Sequence, residues 1–288
     1  MSISGPGFRI PTSGATPPNI RAVNPWGGVL LAIVLVGVSC SHEEPAPPRP
    51  APSGPAFTSP TPVAAPSATP SASQAAAGPT CSNEAAVVAA TDLRLPGSIT
   101  ADVDGDGAPD QIQIALDRSA RPGCQAFLVA QTQSAVVSGP ISSWSLEGGL
   151  PQPRLHSGAQ INGTGGEEIV VDVATGASSQ FASAYADVDG SFLPLSFDKE
   201  APGGFKDMFA YGGSVGHVDA ADCAPDGGVV VSSAVAGGSS YRVTRRFFTV
   251  HEATLKADPS RDQTTTASFN GLSRFPEFPA APFGSCPG

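Results

Sequence analysis

The stretch Asp102-Val-Asp-Gly-Asp-Gly-Ala-Pro-Asp110 runs straight into the alternating segment Gln111-Ile-Gln-Ile-Ala115. A hard cation such as Ca2+ takes six to eight oxygen ligands, and carboxylates at loop positions 1, 3, 5 and 9 supply several of them. Gly107, at position 6, is free to take the positive φ that wraps a chain around an ion. The alternative is a solvated acidic turn, since Asp and Gly are common turn formers. An EF-hand would need a bidentate Glu at position 12 and flanking helices. Here position 12 is Gln113, Pro109 interrupts the loop, and the following residues alternate as a strand does. The loop therefore belongs to a β framework.

The pattern recurs. A step of 58 residues from Asp102 reaches Gln160, which opens Gln160-Ile-Asn-Gly-Thr-Gly-Gly-Glu-Glu168 before the hydrophobic Ile169-Val-Val-Asp-Val173. A second step reaches Val218, and Asp222-Cys-Ala-Pro-Asp226 aligns with Asp106-Gly-Ala-Pro-Asp110, with Val229-Val-Val231 following. Further strands are expected at Gln125–Ala130, Phe181–Ala186 and Tyr241–Val250. Asp189-Gly190 marks a two-residue hairpin turn, a better account of Asp187 and Asp189 than half a metal loop. Glu84–Ala90 reads as a short helix or a first strand. No window past residue 81 carries a sustained, capped 3.6-residue apolar period, so the expected fold is all-β.

A DxDxDGxxD loop entering a strand resembles the FG-GAP and VCBS repeats of bacterial surface proteins and integrin-type propellers. The resemblance implies one Ca2+ held by Asp102, Asp104, Asp106, the Ala108 carbonyl and Asp110. It also implies propeller-blade-like units of about 58 residues, near 98–158, 159–216 and 217–275. Gln160, Asn162, Thr164 and Glu168 would form a weaker second site, because neutral oxygens bind Ca2+ less well. Val218 and Ala220 leave the third loop without its carboxylates, so that site is lost. Three units are too few for an ordinary closed propeller. Added strands from 84–98 and 268–280, or a compact antiparallel β-sandwich, are the alternatives.

The N-terminal third sets the context. Gly27–Ser39 is apolar but too short to span a bilayer comfortably, and Arg9 and Arg21 precede it. This is the layout of a secretory signal over residues 1–39. Gly37-Val-Ser-Cys40 resembles a bacterial lipobox, which implies lipidation of Cys40 and a membrane anchor. Residues 41–80 hold 11 Pro, 10 Ala and 10 Ser or Thr, too little apolar surface to offset chain entropy. Residues 40–80 therefore read as a disordered stalk carrying a domain at 81–288, on the extracytoplasmic face of a membrane or secreted.

That domain has 12 basic against 23 acidic residues, a net charge of -11, which argues against nucleic acid. Arg242, Arg245 and Arg246 form its basic cluster, with Arg242, Thr244 and Arg246 on one strand face. Cys81, Cys124, Cys223 and Cys286 are an even set in an exported domain, and three pairings are open to them. Cys81–Cys124 and Cys223–Cys286 are favoured, because they staple the domain's two ends to the first and third repeats.

Gly212-Gly-Ser-Val-Gly216, with His217 beside it, matches the G-x-S-x-G nucleophile elbow. An elbow needs a helix after the Ser, whereas His217–Pro225 reads as the degenerate third loop with a β run after it, so a Gly/Ser-rich connector between the second and third repeats is the better reading. His156 and His251 lack the spacing of a zinc pair. The sequence supports a lipid-anchored, calcium-stabilised, non-catalytic binding or adhesion module for a protein or glycan. A serine hydrolase using Ser214 and His217, and a passive structural envelope component, are the alternatives.

Overall fold

A computed structural model describes residues 80–199 and 202–287. The signal-like segment, the lipobox with Cys40 and the linker up to residue 79 lie outside the described residues. The described part opens with the short helix α1 (Glu84–Ala89), which buries Val87, and then turns to strands.

A first antiparallel meander is formed by β1 (Ile99–Ala101), β2 (Asp110–Leu116), β3 (Ala126–Gln131) and β4 (Val136–Pro140). A second has the same plan: β5 (Arg154–Ala159), β6 (Glu168–Thr175), β7 (Gln180–Val188) and β8 (Ser191–Pro194). After the two-residue β9 (Ser196–Phe197) comes a longer run of β10 (Phe209–Ser214), β11 (His217–Cys223), β12 (Val229–Gly237), β13 (Ser240–His251) and β14 (Thr254–Ala257). β15 (Gln263–Ser268) folds back onto β13. β10 also pairs with β7, while β4 meets β8 and β9 meets β14 in short parallel contacts. The fold is all-β, one open and mixed sheet.

Each strand follows from its side-chain pattern. β2 alternates, with Ile112 and Ile114 buried and Gln111 exposed, as a sheet with one solvated face requires. β6 and β7 are buried on both faces, which explains the unbroken apolar run at Ile169–Val171. Ile169, Val171, Val173 and Tyr185 join Ile112, Leu128 and Trp144 in one core. Val170, Ala184 and Ala186 join Phe209, Phe248 and Leu255 in another. The second meander is thus shared between two cores.

The 58-residue step holds between the first two meanders, where β2 starts at Asp110 and β6 at Glu168. It slips in the third, where β12 starts at Val229. There Val218, Ala220 and Asp222 lie inside β11, and the connection shrinks to Ala224–Gly228. The Asp189-Gly190 turn forms as expected, with φ of 54° and 79°, the left-handed pair that closes a tight hairpin. Cys81 bonds to Cys124 and Cys223 to Cys286, the favoured pairing. Among the described residues no helix is long and apolar enough to cross a membrane.

Candidate metal loop and neighbouring groups

Asp102–Asp110 joins the end of β1 to the start of β2, and its carboxylates first organise the loop's own backbone. Gly107 N–H donates to Asp102 Oδ2 at 2.9 Å, Asp106 N–H to Asp104 Oδ1 at 3.3 Å, and Ala108 N–H to Asp106 Oδ1 at 2.7 Å. Gly105 and Gly107 take φ of 72° and 84°, which a side chain would strain. The turn leaves carboxylate oxygens of Asp102, Asp104 and Asp106 within 4.8 Å of one another. Asp102 Oδ1 is buried and has no hydrogen-bond partner. An orphaned buried carboxylate oxygen is costly unless something positive or protic meets it.

Asp110 takes a different place. It is buried, and its Oδ2 accepts from Val103 N–H at 3.0 Å. Burial raises its pKa, and the charges of Asp104, Asp106 and Asp102 add to the effect. The three-carboxylate group is therefore Asp102, Asp104 and Asp106, with Asp110 bracing the loop from behind. Ala108, the expected carbonyl ligand, is half-buried between them.

The second loop repeats the brace. Glu168, in the position of Asp110, is buried and accepts from Ile161 N–H at 2.7 Å and Asn162 N–H at 3.3 Å. Val103 and Ile161, the donors at equivalent positions, are both buried. Burial pushes the Glu168 carboxyl up to about 7. Asn162 Oδ1 accepts from both the backbone N–H and the hydroxyl of Thr164, at 2.7 and 2.6 Å, and Gln160 N–H donates to the Pro287 carbonyl at 2.8 Å. The Asn162 oxygen is engaged with the chain itself, and among the described residues the second loop gathers no acidic cluster.

The two loops pack back to back. Glu167 Oε2 accepts from Asp102 N–H at 2.6 Å, and Glu167 N–H donates to the Asp102 carbonyl at 2.7 Å. A Cβ on Gly166 would come within 2.6 Å of the Val103 carbonyl oxygen. Glu167 is a residue the sequence reading missed. The signal was the doublet Glu167-Glu168, since neighbours on an extended chain face opposite ways and only one can serve its own loop.

In the third unit, Asp222 is buried and its Oδ1 accepts from Cys223 N–H at 2.9 Å and Ser285 N–H at 3.0 Å. It ties the C-terminal segment to β11 beside the Cys223–Cys286 bond. Asp226 lies exposed in the β11–β12 turn, where Arg261 pairs with it.

The G-x-S-x-G segment is a β-hairpin. Ser214 ends β10 and His217 begins β11, with a strand where the elbow needs a helix. Ser214 is exposed, and its Oγ accepts from Gly216 N–H at 3.4 Å. His217 turns to other partners: its Nε2 lies 3.0 Å from Asp219 Oδ1 and 3.2 Å from Ser233 Oγ. Both contacts fall on one ring nitrogen, whereas a nucleophile–base–acid relay uses the two nitrogens separately. His156 sits 3.7 Å from Asp172 on β6, whose other oxygen accepts from Tyr211 at 2.7 Å. The neighbouring Asp172 carboxylate raises the His156 pKa. His251 is exposed at the end of β13.

The chain matches no protein-family model, no curated protein and no solved structure. The resemblance to FG-GAP and VCBS repeats rests on the loop residues and their recurrence.

Proposed function

We propose that this chain is an extracytoplasmic, lipid-anchored binding or adhesion module of propeller-blade-like repeats, in which Ca2+ at the Asp102 loop acts as a structural clip. The observation that carries the calcium reading is the orphaned, buried Asp102 Oδ1 beside the carboxylates of Asp104 and Asp106. A cation there would satisfy that oxygen and offset the mutual repulsion of the cluster. Asp102, Asp104 and Asp106 would hold the ion, and Asp110 would keep the loop in shape. The common brace of Asp110 on Val103 and Glu168 on Ile161 supports descent of the first two units from one repeat. The two disulfides suit an oxidising compartment, in keeping with an exported chain anchored through Cys40. The partner would be a protein or glycan at the cell envelope.

Thermal melting of the full chain in millimolar Ca2+ and in excess chelator tests the clip. A ligand at a hundredfold excess over its Kd stabilises by about 2.7 kcal/mol, so Ca2+ should raise the Tm by several degrees. Asp106→Asn keeps an acceptor for Ala108 N–H but removes the charge, and should abolish most of that rise. An unchanged Tm in the parent chain defeats the calcium reading. The anchor has its own test: palmitate labelling should reach the parent chain and not Cys40→Ser.

A further inference from the structure

A cavity of about 400 Å3 lies away from the Asp loop, between the β11–β13 face and the segment leading into β10. Its size falls within the usual range of small-molecule sites. Register places its floor. Asp219 on β11, Ser233 on β12 and Thr244 on β13 are level with one another, and Val231 and Arg246 form the next pair on the same face. Phe181, Phe205, Met208 and Phe209 supply the opposite wall, with Phe181 and Phe205 meeting edge to face at 5.0 Å.

The charged groups stand at two ends. At one end Asp219 is held by His217 Nε2 at 3.0 Å and by the Ser179 hydroxyl at 3.4 Å, with Ser233 beside them. Arg246 lines the other end, two strands across and two residues along. With strands about 4.8 Å apart and about 3.4 Å of rise per residue, its Cα lies about 12 Å from that of Asp219. Between them the lining is Val231 and the Phe side chains, with Thr244 along one edge.

We propose that this cavity binds a small aromatic carboxylate that carries a hydroxyl at the end opposite its acid group. The carboxylate pairs with the Arg246 guanidinium, whose planar fork suits two oxygens. The ring lies among Phe181, Phe205 and Phe209 in offset or edge contact. The hydroxyl donates to Asp219 and accepts from Ser233, which hydroxyl chemistry allows and an ammonium group does not. A wholly apolar ligand would cover Arg246 without a partner, at a desolvation cost. No residue of the Asp102 loop lines the cavity, so the proposal stands independently of the calcium reading.

Equilibrium dialysis of the full chain against 3-(4-hydroxyphenyl)propanoate tests it, with 3-phenylpropanoate and 4-ethylphenol as partners in the series. The hydroxy acid should be retained. Removing its carboxylate should weaken retention by about tenfold or more, and removing its hydroxyl by about three- to tenfold. Arg246→Met should reproduce the first loss and Asp219→Asn the second. The ligand series on the unaltered chain decides the matter even where a variant melts early. No retention of the hydroxy acid at millimolar concentration overturns the proposal, as does 4-ethylphenol binding as tightly as the acid.

Discussion

Glu168 shows how corresponding positions in two similar meanders come to differ with their surroundings. It fills the slot of Asp110 and makes the same backbone brace, yet its carboxyl is pushed up to about 7 by burial. The unfolded chain releases that proton near 4.5 and the folded chain holds it to about 7. The folded state is thus favoured most below pH 4.5, and that contribution is lost as the pH rises through 7. Glu168→Gln keeps an acceptor for Ile161 and Asn162 without a charge. At pH 8 it should stabilise the chain by about 2 to 3 kcal/mol, and at pH 4 by almost nothing, in denaturant titrations at the two pH values. Equal stability of parent and variant at pH 8 would refute the buried-charge argument. Sequence gives Glu168 its register but not its burial, which depends on the second meander lying between two cores.

Among the elements, the strands and tight turns are the most legible. Asp189-Gly190 prescribes a hairpin because both residues tolerate positive φ, and β7 and β8 pair across it. Gly212–Gly216 is the opposite case, a motif whose letters fit an enzyme while its backbone forms the hairpin of β10 and β11. The back-to-back packing of the first two loops was not legible, since Gly158, Gly166 and Glu167 reveal it only when β1 and β5 come together. Gly166→Ala should test that contact. Its added methyl would press on the Val103 carbonyl, a backbone atom that cannot turn aside. We expect a loss of about 1 to 3 kcal/mol in chemical denaturation, with a smaller Ca2+-induced rise in Tm because the Asp102 loop moves with it.

At the scale of the whole molecule, the disulfides close the two ends of the described fold. Cys81–Cys124 holds α1 against β3, and Cys223–Cys286 holds the C-terminal segment against β11 across a separation of 63 residues. Replacing Cys223 and Cys286 together by Ser should cost about 2 to 4 kcal/mol, read as a lower midpoint in urea under non-reducing conditions. A midpoint unchanged from the parent would mean that the Asp222 hydrogen bonds to Cys223 and Ser285 suffice to hold that end. The sequence by itself determined the all-β class, the Asp189-Gly190 turn, the position of the Asp loop and the even set of four cysteines, and it favoured the pairing that the fold shows. Each depends on local spacing, on backbone freedom at Gly and Asp, or on counting. Only the tertiary structure decided which carboxylates cluster, that Asp110 and Glu168 are buried braces, and that Arg246 and Asp219 face one cavity. Those facts arise where strands distant in sequence meet, and strand register is set by packing across the sheet.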